Sequence, residues 1–285
     1  MLRKCTEQEY KEYADFAYGL ALEQSKSGYP TYCDGIKTKE MFMERTQRAF
    51  SDDTECLLLF EYEGVVEGWI HYYYFPEDRY LSTESFNINS HTQQALQEFL
   101  ELVQEKFEGY ELYLGYSKEN TEAIDFLSTH GFECIEEDYN NTAFLDKYEP
   151  VKISDSVVRV TKENYKYFRA LHNNIEGDMY WDSDRIYEDI DNWIIFSDIR
   201  DNQAAGCVYF MAADNGWFEI FGIDMKDNIF DSDVFQKLLE KALNAAKELG
   251  GKYMTFFCDE DGEDIVTKLG FKCVGEYVCY KKNLV

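Results

Sequence analysis

Asn120-Thr-Glu-Ala-Ile-Asp-Phe-Leu-Ser-Thr-His-Gly131-Phe132 reads as one complete helix-to-strand unit. Asn120 is a polar cap, Ala123, Ile124, Phe126 and Leu127 make the apolar stripe of an amphipathic helix, Gly131 ends it, and Phe132 opens a strand. The second half of the chain holds a counterpart, Glu260-Asp-Gly-Glu-Asp-Ile-Val-Thr-Lys-Leu-Gly270-Phe271. Taken alone, each is a capped helix feeding a strand.

Outward from this unit, periodicity predicts the same element order twice. In the first half it gives helices over 7–27 and 38–50, a hairpin of strands 55–62 and 65–75, and a strand near Leu81–Ile88. A helix over 92–107, strand 111–116, the helix from Asn120, and two short strands at 132–137 and 142–147 complete that half. The second half repeats it with helices 162–174 and 183–190, strands 193–198, 204–212 and 217–225, helix 233–249, strand 253–258, helix 260–269, and two strands at 271–276 and 277–281. One α/β (α+β) module is written twice in 285 residues, with domains expected at 1–149 and 150–285 and a join near Pro150. Each domain is expected to hold a mixed, mostly antiparallel sheet flanked by helices.

Composition narrows the function. The chain carries 56 acidic and 28 basic residues, a net charge of −28 that repels nucleic acid and anionic membrane surfaces. With 45% hydrophobic and 17% aromatic residues it has ample material for folded cores. The eight cysteines form no C-x-x-C pair and the four histidines are scattered, so no metal site is expected. No apolar leader or membrane-length apolar run is visible, and a reducing cytoplasmic setting is the expectation.

The pattern N-x-x-A followed by G-F resembles the late motif of the GNAT superfamily of N-acetyltransferases, and the element order matches that fold in both halves. The resemblance implies a tandem GNAT architecture, acetyl-CoA as co-substrate and an amine acceptor. It also implies splayed strands in the first half, next to Ile88, and leaves open whether they form a cleft wide enough for a pantetheine arm. In that family a glycine-rich loop V-x-P-x-x-R-G-x-G-x-G wraps the pyrophosphate at a helix N-terminus. Laid on Ile223–Leu239, that loop puts Phe230 at the arginine position and Asp231, Asp233 and Phe235 at glycine positions. Like charges 4 Å apart at an effective dielectric of 20 repel by about 4 kcal/mol, so Asp231 and Asp233 read as helix caps.

The first half has Asn89-Ser-His-Thr-Gln-Gln94 at the equivalent junction, degenerate but neutral. The cofactor-binding residues implied are therefore Ile88, Ser90, His91, Thr92, Gln93 and Asn120, with helix capping by Ser90 or Thr92 as the alternative role. Glu219 falls where the family carries a general base, and Glu84 is a displaced counterpart. The family's acidic tyrosine is replaced by Leu127 and Val266. Tyr72–Tyr74 reads as half-buried sheet or as rings lining a pocket beside the cleft, Gly177–Trp181 as an acceptor wall or as helix packing, and the charges of the first hairpin as solvated. The activity implied is acyl transfer to a small amine or basic acceptor attracted by the acidic surface. The alternative is a non-catalytic ligand-binding module or scaffold, and a homodimer is left open.

Overall fold

The computed structural model describes residues 1–173, 180–213 and 216–285. They form two compact units, one made of Met1–Glu137 and Gly275–Val285, the other of Asp138–Val274.

In the first unit, β1 (Leu2–Lys4), α1 (Glu7–Ala21) and α2 (Lys39–Gln47) precede the strands β2 (Glu55–Tyr62), β3 (Val65–Phe75) and β4 (Tyr80–Ile88). Then come α3 (Thr92–Lys106), β5 (Glu111–Ser117), α4 (Thr121–Thr129) and the start of β6 (Glu133–Phe144). The second unit repeats the order with β7 (Val157–Arg159), α5 (Lys166–His172), α6 (Ser183–Glu188), β8 (Trp193–Arg200), β9 (Gln203–Ala212) and β10 (Trp217–Met225). It continues with α7 (Ser232–Glu248), β11 (Tyr253–Cys258), α8 (Glu260–Lys268) and the start of β12 (Lys272–Asn283).

The halves do not close on themselves. Each two-strand ending expected from the sequence is one long strand. Tyr139–Phe144 of β6 pairs with β11 in the second unit, and Tyr277–Asn283 of β12 pairs with β5 in the first. The units thus divide at 137/138 and 274/275, rather than at one join near Pro150. The stretch Glu137-Asp-Tyr-Asn-Asn141 contains no glycine or proline to reverse the chain, so the strand runs on into the other unit. Among the described residues, one neighbouring strand pair in each unit is parallel, β4 with β5 and β10 with β11.

Strand alternation builds a core on both faces of each sheet. In the first unit Leu58, Phe60, Ile70 and Tyr72 pack with α3 and α4 residues, while Leu57, Leu59 and Trp69 pack with α1 and α2 residues. The second unit divides Val208 and Phe210 from Cys207 and Tyr209 in the same manner. The duplication extends to irregularities. The third residue of β3, Glu67, and of β9, Ala205, lies outside its ladder, and so does the fifth residue of β4, Glu84, and of β10, Phe221. The eighth residue of each of these last two strands ties it to the unit's first helix. Asn87 Nδ2 donates to the Ala17 carbonyl at 3.3 Å, and Asp224 meets His172 Nδ1 at 2.9 Å.

Asn120 caps α4 as its motif requires, accepting from the Ala123 N–H at 3.3 Å, and its amide donates to the Ser27 carbonyl at 3.3 Å. We expect Asn120→Ala to cost about 1–2 kcal/mol in urea denaturation, with Asn120→Asp, which keeps the cap and loses the Ser27 bond, in between. An unchanged midpoint in both would contradict this role.

A buried charge cluster fastens α2 to the sheet. Glu55 accepts from Arg45 at 2.7 Å and meets His71 Nε2 at 2.8 Å, while Arg48 lies 3.1 Å from its other oxygen. Burial pushes the Glu55 carboxyl up, but the bonds and charges of His71 and Arg45 outweigh it and hold it down at about 2 instead of 4.5. The stabilisation is complete above pH 4.5 and disappears as the pH falls through 2. Wild type should exceed Glu55→Gln by about 3 kcal/mol at pH 7, and the gap should narrow steadily on acidification. A gap that stays constant between neutral pH and pH 3 would refute the assignment.

Candidate functional site

The site begins with a pairing that stops early. β4 and β5 are parallel partners only over Tyr80–Ser82 and Glu111–Tyr113. Glu84 then leaves the β3 ladder as a bulge, and the two strands diverge toward Ile88 and Ser117. The splay that the resemblance implies is present, but the chain itself crosses it. Residues 26–29, after α1, run between the strands. Gly28 N–H donates to the Phe86 carbonyl at 2.9 Å, Ile88 N–H to the Lys26 carbonyl at 2.9 Å, and Tyr29 N–H to the Gly115 carbonyl at 2.8 Å.

Next to this segment, the N-terminus of α3 is built differently from an ordinary cap. His91 occupies the cap position in the left-handed region (φ 63°) and makes no capping bond, its ring stacking on Tyr62 at 3.7 Å instead. Ser90 does not cap either, since its hydroxyl donates to Glu67 at 3.1 Å, beside the Asn89 amide at 2.7 Å. The bulge in β3 aims Glu67 at this loop. A pocket of about 320 Å³ opens here, lined by Lys26, Ile88, Ser90, His91, Thr92 and Thr121, and also by Glu119 and Glu122. The junction is neutral in sequence, yet the fold brings acids to it.

In the second unit the corresponding helix N-terminus is closed by a carboxylate. Asp231 accepts from the N–H groups of Asp233 at 3.0 Å and Val234 at 3.2 Å, and Asp233 pairs with Lys237 at 3.2 Å. Both aspartates are thus structural, as their positions suggest. Glu219 is the third residue of β10, half-buried and opposite Met211 and Thr255, two places before the bulge. Its counterpart in β4 is Ser82, whereas Glu84 matches Phe221. The two carboxylates proposed as bases therefore lie at different positions in different units.

Of the implied cofactor residues, the fold gathers Ile88, Ser90, His91 and Thr92 around one pocket and leaves Gln93 and Asn120 off its lining. Ile88 has its N–H committed to Lys26, and Asn120 serves the α4 cap and Ser27. Leu127 and Val266 are core residues. Tyr72 packs on Phe99 and Phe107 as sheet core. Glu61, expected to be a solvated hairpin charge, pairs with Arg3 at 3.1 Å. Of the acceptor-wall stretch, Gly177, Asp178 and Met179 lie outside the described residues, and Trp181 packs on Trp193.

Two residues of the splay, Arg45 and Tyr29, have no local signal in the sequence, whereas Tyr73 belongs to its aromatic run Tyr72–Tyr74. Arg45, from α2, holds Glu84 at 3.0 Å and lies 6.0 Å from the Tyr73 ring centre. Tyr29 places its hydroxyl 3.4 Å from Ser82 Oγ. Burial pushes the Tyr29 and Tyr73 phenols up, so both keep their protons at neutral pH. Among the described residues no His, Cys, Asp and Glu cluster is arranged to hold a metal ion, and no helix is long and apolar enough to cross a membrane.

Comparison with known proteins places this geometry. No protein-family model and no curated protein matches the sequence. Solved structures do match it. A GCN5-related N-acetyltransferase from Sphaerobacter thermophilus aligns over 100% of this chain and 95% of its own, with a TM-score of 0.67 and 11% identity. A tandem GNAT protein from the clavulanic acid biosynthesis pathway covers 100% of this chain and 98% of its own, with a TM-score of 0.54 and 10% identity. A Drosophila protein covers 100% and 99%, with a TM-score of 0.59 and 10% identity. At these identities the likeness is one of fold, and the chain has the fold of the GCN5-related N-acetyltransferases, written in tandem.

Proposed function

We propose that the protein is an acyl-CoA-dependent acyltransferase acting on a small amine, with the donor held by the first unit. The observation that carries this reading is the α3 N-terminus. It lies at the end of a bulged strand that diverges from its parallel neighbour, and no side chain caps it. Its first N–H groups and the helix dipole suit an anionic diphosphate. Lys26, Ser90 and Thr121 line the same pocket and are able to donate to phosphate. When bound, the donor supplies a thioester activated toward attack by an amine. Glu84, fixed by Arg45 beside the bulge, is the chain's proton acceptor for that amine, and the acidic surface draws a cationic acceptor toward the unit.

Two features support a second reading, a GNAT-fold module without CoA chemistry. Residues 26–29 lie where an acyl-pantetheine arm needs to pass, and the diphosphate end of the pocket also faces Glu119 and Glu122. In the second unit the Asp231 carboxylate already occupies the helix N-terminus.

Calorimetry with acetyl-CoA and a thiol-release assay across a panel of polyamines, amino sugars and basic peptides separate the two. The transferase reading expects measurable heat, and turnover on at least one amine that Glu84→Gln lowers by about 10²-fold with little change in the KM for acetyl-CoA. Absence of heat at high micromolar ligand, together with absence of thiol release, would overturn it in favour of the second reading.

A further inference from the structure

The segment between α1 and the short 3-10 turn at Pro30–Asp34 is more than a connection. Lys26-Ser-Gly-Tyr29 passes along the inner edge of β4 and takes up the Phe86 carbonyl and the Ile88 N–H, while its far end bonds Gly115 on β5. It is held at its flanks as well. Asn120 donates to the Ser27 carbonyl at 3.3 Å, and Lys26 Nζ donates to Asn89 Oδ1 at 2.8 Å.

The fit carries signs of tension. Tyr29 has φ 42°, a left-handed backbone that is costly for a bulky side chain. Ser27 is 1% exposed, and its hydroxyl finds no hydrogen-bond partner among the described residues. Gly28 is tightly confined, because a Cβ there would stand 3.0 Å from Phe86 Cβ and 3.3 Å from the Gly115 carbonyl oxygen. A segment that is well bonded but strained is suited to leave when another chain offers the same bonds.

We propose that residues 26–29 form an intramolecular strap that occupies the β4 edge in place of an acyl-pantetheine arm, so that the first unit accepts a pantetheine thioester only after the strap has left. The chemistry matches on both sides. A pantetheine arm is an extended chain with two amide groups, able to bond the Phe86 carbonyl and the Ile88 N–H as the strap does. The diphosphate pocket at α3 adjoins the strap, whose Lys26 lines it, but its other donors, Ser90, Thr121 and the first N–H groups of α3, lie outside the strap. The strap therefore opposes the arm, and of the phosphate donors it carries Lys26 alone. This inference rests on the donor reading above and adds the regulation of that site.

The test is a graded series, wild type, Gly28→Ala and Gly28→Val, titrated by calorimetry with acetyl-CoA and, separately, with adenosine 3′,5′-bisphosphate, which carries phosphates and no arm. Crowding against Phe86 should loosen the strap progressively, and because apparent affinity scales with the fraction of open molecules, Gly28→Val should bind acetyl-CoA about tenfold more tightly than wild type. Adenosine 3′,5′-bisphosphate, which has no arm to compete with the strap, should bind no more tightly to the variants than to wild type. Thermal melting shows which variants are folded, and Gly28→Ala carries the test if the valine variant is not. Equal acetyl-CoA affinity across the folded series would overturn the strap and leave the donor reading standing. Failure of every protein to bind either ligand would overturn the donor reading and the strap with it.

Discussion

The first unit is organised around an edge of β4 that has lost its neighbour. Beyond Ser82 and Tyr113 the parallel ladder ends, yet Phe86 and Ile88 are almost wholly buried. Their backbone groups cannot be left without partners at that depth. The strap supplies them, and much else follows from its being there. α1 ends early enough for the chain to turn inward, Tyr29 accepts a strained backbone, and the motif residue Asn120 is bound to Ser27. Gly115 is needed on the opposite side, because a Cβ there would meet the Tyr29 ring and the Tyr277 hydroxyl, each at 2.5 Å.

The two halves repeat one plan and then depart from it at the same two places. Bulges, first-helix ties and the parallel strand pair recur at matching positions, so the departures stand out as chemistry. At the helix following the bulged strand, one unit leaves the N-terminus without a side-chain cap and the other closes it with Asp231. At the bulge itself, one unit carries Glu84 gripped by Arg45 and the other carries Phe221 packed on Trp193. A polar and a hydrophobic version of one scaffold are joined in one chain.

Much of this was legible in the sequence. The capped helix at Asn120, its counterpart near Glu260 and the repeated order of elements gave the fold, because amphipathic stripes and terminal glycines are local signals. The capping role of Asp231 was legible for the same reason. What could not be read depends on distant residues. The long strands β6 and β12 look like pairs of short strands, because an exposed opening followed by a four-residue buried run breaks the alternation. Ser90 reads as free to cap α3 until the bulge in β3 brings Glu67 to it. The junction after β4 is neutral as a string of letters and acidic in space. The strap, Lys26-Ser-Gly-Tyr29, is an ordinary turn composition whose partners lie about 60 and 90 residues away.

Amide hydrogen exchange addresses the central claim most directly. If residues 26–29 bridge the splay, the amide protons of Gly28, Tyr29 and Ile88 should exchange as slowly as those of paired strands, several orders of magnitude below the rates of exposed loops. Exchange of Gly28 and Tyr29 at loop rates, with Ile88 equally fast, would mean that the β4 edge stands open and would contradict the account.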